Sequence, residues 1–190
     1  MDSLSCVLEG IRGQHTRPVL VGIEGRSGSR KSFLSERLSK ALGCSVIHGD
    51  DFYSVMPEDE RAALTPEQGY ALYFDWQRLR LEALNPLKAR FTARFQRYDW
   101  ERGSALKGWI RVAPAEVVIV EGVYLGRPEL RSFFDVLVYI STPESERRQR
   151  LKARTWDDPA WTARWDAAEG WYHDHHEPEE KAQFVVSGAS

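Results

Sequence analysis

The chain of 190 residues contains only two cysteines, Cys6 and Cys44, and they lack a Cys-x-x-Cys spacing. Neither a disulfide framework nor a cysteine zinc site is indicated, so both read as ordinary reduced thiols. No apolar run approaches the roughly 20 residues of a membrane span. Met1–Gly10 lacks the basic start and long apolar centre of a secretory leader, so a cytoplasmic location is expected. An excess of one charge is missing too: 26 Lys and Arg face 28 Asp and Glu, a formal net charge of -2. A general nucleic-acid binder would carry a strong basic excess, so neither nucleic acid nor a membrane is expected as a partner. Internal repeats and low-complexity stretches are absent as well. What the chain has in quantity is aromatic residues, with 7 Trp, 7 Tyr and 8 Phe, enough to build a core or to line a pocket for a flat ligand.

The length suits one domain over residues 1–190. Leu4, Val7, Leu8 and Ile11 recur at helical spacing before Gly13. Apolar runs at Val19–Ile23, Val117–Val120 and Val136–Ile140, with shorter ones at Ser45–His48 and Phe184–Val186, have the character of buried parallel strands. Helical stretches separate them. The fold class expected is therefore α/β, a five-stranded parallel sheet flanked by helices. Thr65-Pro66, Thr142-Pro143 and Asp158-Pro159 are helix starts, each a capping residue followed by proline. Trp161, Trp165, Ala168 and Tyr172 form a helical stripe that reads first as core. Alternation over about 91–112 predicts a small antiparallel hairpin inserted beside the main sheet.

Strand, glycine turn and helix meet at Gly25-Arg26-Ser27-Gly28-Ser29-Arg30-Lys31-Ser32. This is the context of a P-loop, whose backbone N–H groups and helix N-terminus converge on phosphate oxygens. Lys31 would reach the β- and γ-phosphates of ATP, and the Ser32 hydroxyl would bind Mg²⁺. Arg30 occupies the position before the lysine where the pattern has glycine. If that position is left-handed, a side chain there costs about 1–2 kcal/mol. Damage, tolerance and specialisation all stay open, and with them the reading of the chain as a nucleotide-binding regulator.

Acids stand at the carboxyl ends of two other strands, the edge where ligands bind in open α/β sheets. Asp50, after His48-Gly49, can accept a proton from an attacking hydroxyl or help to hold Mg²⁺; Glu121 suits an outer magnesium role. Arg147, Arg150 and Arg154 share one helix face, placed to neutralise transferring phosphates over a lid at about 143–158. His173-Asp174-His175-His176 lacks a ligand frame and reads as a solvated helix end. Trp100 and Trp109 either stack an acceptor ring or brace the hairpin.

In this order the motifs resemble the uridine kinase family of P-loop small-molecule kinases, particularly its short bacterial members, over about Val19–Val186. Asp50-Asp51-Phe52-Tyr53, Phe74-Asp75, Tyr98-Asp99-Trp100, Glu121-Gly122 and the arginine series carry the resemblance. It implies a P-loop kinase fold with strand order 2-3-1-4-5 and an arginine-rich lid. It also implies ATP and Mg²⁺ as cofactors, and Asp50 as the base facing a nucleoside 5′-hydroxyl. Tyr53, Asp75 and Tyr98 would lie on the acceptor side, Asp75 on the ribose hydroxyls and Tyr98 near the base. The family's base-reading histidine after Tyr-Asp has no counterpart in Glu101-Arg102-Gly103-Ser104. That leaves open whether the acceptor is a pyrimidine nucleoside, another nucleoside, or another hydroxylated metabolite or antibiotic.

Overall fold

The computed structural model describes residues 3–153 and 158–189. Strands β1 (Val19–Glu24), β2 (Ser45–His48), β5 (Val117–Gly122), β6 (Val136–Ser141) and β7 (Phe184–Ser187) form one sheet in the order β2-β5-β1-β6-β7. Counted among themselves they run 2-3-1-4-5, the expected order, and every neighbouring pair is parallel. Strands β3 (Ala93–Tyr98) and β4 (Leu106–Val112) make the separate antiparallel hairpin.

Both faces of the sheet are covered, as the unbroken apolar runs require. Side chains alternate along β1: Val19, Val21 and Ile23 enter one core with Leu34 and Leu38 of α2 (Lys31–Leu42) and Val7 and Ile11 of α1 (Ser3–Arg12). Leu20 enters the other, with Leu79, Leu84 and Leu87 from the helical run that follows Asp75. That run comprises α5 (Trp76–Arg78), a π-helical turn (Leu79–Leu84) and α6 (Asn85–Lys88). Pro86 lies inside it, without a donor and with a ring that crowds the preceding turn, and the wider π geometry accommodates this. The hairpin docks on the same core through Ala93 and Phe95; its register shifts between Gln96 and Arg97, after which Tyr98 is buried.

A third, aromatic core lies around Tyr53, Tyr70, Tyr73, Phe74, Tyr124, Trp165 and Tyr172. It joins α4 (Pro66–Leu72) to α9 (Pro159–His176), with the short α3 (Glu58–Ala62) alongside in sequence. The remaining helices are α7 (Pro128–Arg131), α8 (Glu144–Lys152) and α10 (Pro178–Lys181). Thr65 and Gln68 close a reciprocal capping box, and the Asp158 carboxylate accepts from the Ala160 N–H. Thr142 departs from its expected cap role. Pro143 stands at the cap of α8, and the Thr142 hydroxyl donates to the Ser29 carbonyl at 3.3 Å. Among the described residues no helix is long and apolar enough to cross a membrane.

Candidate active site

The turn between β1 and α2 begins the site. Gly28 has φ 80°, and a Cβ there would sit 2.9 Å from the Arg147 carbonyl oxygen, so both backbone and space require glycine. Arg30 has φ 74° and ψ 27°, the left-handed conformation, at the cap of α2. The strain expected from its sequence position is therefore present, and the turn is completed in spite of it.

Side chains hold the turn's carbonyls one after another, three of them from outside the turn. Arg147 Nη1 donates to Ser27 O at 3.0 Å, Arg150 Nη1 to Gly28 O at 3.1 Å, Thr142 to Ser29 O, and Lys31 Nζ to Arg26 O at 3.3 Å. Carbonyls fixed in this way orient the intervening peptides, the condition for a nest of N–H groups. Two acids one turn apart on α9 complete the clamp. Glu169, only 1% exposed, accepts from the Ser27 N–H at 2.9 Å and from the Ser27 hydroxyl. Asp166 pairs with Arg26 at 2.6 Å and with Arg147 at 3.4 Å.

Three arginines expected near the phosphates take partners within the protein. Arg26, expected at the phosphates, faces the α9 acids. Arg147, 2% exposed, and Arg150 do share a helix face, but that face packs on the turn and their guanidinium groups bond its peptides. Helical spacing specifies a common face and not what the face meets. Arg154, the third member, lies outside the described residues. Asp166 and Glu169 were not singled out from sequence, where they look like two members of an acidic surface helix; their position on the Trp161–Trp165–Tyr172 side was the available signal.

Lys31, Ser32, Asp50 and Glu121 line one cavity of about 490 Å³. Asp50 lies in the 3₁₀ turn Gly49–Phe52 that follows β2. Glu121 is the penultimate residue of β5, paired in register with His48, whose Nδ1 is 2.7 Å from Glu121 Oε1. The hydrogen bond to Glu121 raises the His48 pKa. Ser32 Oγ donates to the same carboxylate oxygen at 3.4 Å. A hydroxyl and a carboxylate converging beside a phosphate-binding turn are hard oxygen donors of the kind Mg²⁺ takes when phosphates and water supply the rest.

Phe74, Trp100, Val123, Trp161 and Trp165 form an apolar part of the cavity wall, with Thr162, Asp166 and Glu169 lining it beside them. Trp100 stacks on Tyr53 with ring centroids 4.9 Å apart, and Tyr53 stacks in turn on Trp165 at 5.3 Å. Tyr53 and Tyr98, expected at the acceptor, are buried behind this wall, and the Tyr98 hydroxyl donates to Gly103 O. Asp75 accepts from the Arg78 N–H at 2.9 Å and so caps α5, the local role open to it from sequence. The two hairpin tryptophans separate: Trp100 faces the cavity, whereas Trp109 lies under the Arg94 guanidinium at 4.3 Å, 56% exposed. Arg61, buried and bonded to the Ser54 carbonyl, braces Tyr53 from 4.5 Å. The end of α9 after Tyr172 is solvated in part: Asp174 and His175 are exposed, His175 stacking on Trp171, whereas the half-buried His173 bonds the Tyr139 hydroxyl and His176 stacks on Tyr172.

Beneath the turn, Glu24 is fully buried at the end of β1. Burial pushes its carboxyl up to about 7, against the Tyr172 hydroxyl, the Gly126 N–H at 2.7 Å and the Lys31 ammonium, which favour the charged form. A Cβ at Gly126 would lie 2.5 Å from this carboxylate, so only glycine admits the contact.

Sheet order, phosphate-binding turn and acids at the strand ends define the P-loop kinase class of α/β proteins. Residues 21–170 match the AAA domain family, and the chain belongs to it. Its curated relatives include the uridine kinases of Limosilactobacillus reuteri, 30% identical over 141 residues, and of Clostridium botulinum, 31% identical over 138. These matches cover 70% and 69% of this chain but 63% and 66% of the relatives' own lengths. Among solved structures, a possible uridine kinase from Bacillus stearothermophilus shares the fold at TM-score 0.75 and 24% identity, over 97% of both chains. A kinase assigned to a fructose transport system of Silicibacter sp. TM1040 superposes at TM-score 0.68 and 25% identity, over 98% of this chain and 99% of the other.

Proposed function

We propose that this protein transfers the γ-phosphoryl group of ATP to a primary hydroxyl of a nucleoside-like small molecule. The observation that carries this reading is the single cavity in which a phosphate-binding turn with Lys31 and Ser32 faces Asp50 and, beyond it, an aromatic wall. The acceptor oxygen forms a bond to the γ-phosphorus, the bond from phosphorus to the β,γ-bridging oxygen breaks, and ADP leaves. The hydroxyl proton passes to Asp50 and on to water. Lys31 and the turn's N–H groups hold the phosphates. Ser32 and Glu121 would hold Mg²⁺, which supplies charge neutralisation on the phosphate oxygens when bound. The uridine kinase relatives favour a nucleoside; the fructose-transport neighbour favours a sugar. The regulator reading draws on Arg30, but the turn around it retains its form.

Acceptor-dependent ADP release, measured over nucleosides and other alcohols, tests the proposal. Asp50→Asn should keep ATP binding while lowering turnover about 10²-fold or more. Retained ATP binding without ADP release on any acceptor would favour the regulator; unchanged turnover in the variant would remove Asp50 from the reaction.

A further inference from the structure

His48 stands next to the reaction site, and the proposed chemistry leaves it unused. It ends β2 as the register partner of Glu121 on β5, so the two side chains project from the same face of the sheet. It does not line the cavity, and its side chain is half exposed, so the imidazole reaches Glu121 from outside the space that phosphates and acceptor would fill.

Glu121 is buried, and its hydrogen bonds fall on one oxygen. Oε1 lies 2.7 Å from His48 Nδ1 and 3.4 Å from Ser32 Oγ; among the described residues no hydrogen bond reaches Oε2. A carboxylate only accepts, so the imidazole carries a proton on Nδ1. The distances rank the two donors. At 3.4 Å the Ser32 contact is longer than the usual ~2.5–3.0 Å of an O–H···O bond, whereas 2.7 Å lies at the short, strong end for a ring nitrogen. Ser32 must also turn its oxygen to Mg²⁺ in the proposed reaction. His48 has no second task. A glutamate side chain is flexible, and one left without a donor would have to be ordered as the cation bound, which weakens binding.

We infer that His48 is a positioning residue for the cation: its Nδ1–H holds Glu121 Oε1 and leaves Oε2 as the oxygen for Mg²⁺. The inference deepens the phosphoryl-transfer reading and rests on its placing of the metal at Ser32 and Glu121. Hydrogen-bond partners that orient a metal's ligands change metal affinity or activity by about 10–100-fold when removed.

Mn²⁺ in place of Mg²⁺ gives a binding signal that needs no turnover. It is titrated into the full chain loaded with a non-hydrolysable ATP analogue, protein in excess, and the free ion is counted by electron paramagnetic resonance. His48→Ala should raise the Mn²⁺ concentration for half-saturation about tenfold or more, and the Mg²⁺ concentration for half-maximal ADP release by a similar factor. Affinity for the analogue without metal should change little, and so should Tm, because the ring is half exposed. His48→Asn should restore most of the loss, since the amide nitrogen of asparagine is bonded to Cγ as Nδ1 is and can donate from the same place. His48→Leu, which fills space without a donor, should not; a merely structural role for the ring would not favour asparagine over leucine. Equal Mn²⁺ binding by the asparagine and leucine variants would overturn the inference. So would an unaltered half-saturation in His48→Ala beside a raised one in Glu121→Gln, which would keep Glu121 as a ligand of the metal. An unaltered half-saturation in Glu121→Gln would overturn the inference together with the metal's placing. A loss in His48→Ala that asparagine restores, in a protein that releases no ADP on any acceptor, would uphold the inference and sink the phosphoryl-transfer reading.

Discussion

The two ends of the cavity are built on opposite plans. The phosphate end is eight consecutive residues whose shape is over-determined: four side chains hold their carbonyls and Glu169 holds the Ser27 N–H. The apolar lining is assembled from Phe74, Trp100, Val123 and two turns of α9, segments far apart in sequence that meet only through the fold. One end achieves precision with hydrogen bonds and charge, the other with stacked area. A phosphate is the same in every nucleotide and rewards a rigid, directional nest, whereas stacking tolerates variation in the ring it receives.

Arg147 gives the strongest test of this contrast. It is a buried cation tied to the Ser27 carbonyl and to Asp166. Its removal should act on the shape of the turn and so on nucleotide binding. For Arg147→Met we expect the ATP KM to rise about 10–100-fold, with kcat changed much less and Tm lowered, since breaking a buried charged pair costs about 3–5 kcal/mol. Steady-state kinetics over ATP concentration separates the parameters. A large fall in kcat at constant KM would place Arg147 on the migrating phosphoryl group and erase the distinction between a holder and a participant.

Glu24 tests the price of so much burial beneath the turn. Its folded pKa of about 7 lies above the ordinary 4.5, so the folded state prefers the protonated acid. That preference contributes stability fully below about pH 4.5, and the contribution is lost as pH rises through about 7. Glutamine does not titrate and can still accept from Gly126. Glu24→Gln should therefore gain on the parent by roughly 2 kcal/mol between pH 5 and pH 8, read from denaturant midpoints across that range. A pH-independent difference would mean that Glu24 is charged throughout and that Lys31 compensates it.

The contrast also explains what was legible in the sequence. The five strands announced themselves because a parallel sheet buried on both faces needs uninterrupted apolar runs, and Gly25–Ser32 because one local segment carries all the donors. Arg147 and Arg150 were found for their shared face but not for the turn it packs on, since periodicity says which side chains point together but not which element they meet. Glu169 and Asp166 could not be distinguished from other acids of a charged helix until α9 lay on the turn. The apolar lining of the cavity was half legible. The stripe Trp161, Trp165, Tyr172 read as core, and Trp165 and Tyr172 are core, but Trp161 and Trp165 also border the cavity. A residue that serves both purposes has no separate sequence signal.

Arg30 should give the smallest effect, and the most specific one. Its left-handed backbone costs an L-residue about 1–2 kcal/mol, which glycine would relieve. Glycine also enlarges the unfolded ensemble by roughly 0.4–1 kcal/mol, so Arg30→Gly should stabilise by only about 0.5 kcal/mol, or ~1–2 °C in Tm. Because Thr142, Arg147, Arg150 and Glu169 already hold the turn, ATP affinity should change less than about threefold. The same substitution made in Arg147→Met should matter more, since a turn that has lost a holder depends more on what its own backbone favours. Equal effects in the two backgrounds would mean that the clamp and position 30 act independently. A tenfold or greater gain in ATP affinity from Arg30→Gly alone would mean that the glycine, and not the surrounding side chains, is what shapes a turn of this kind.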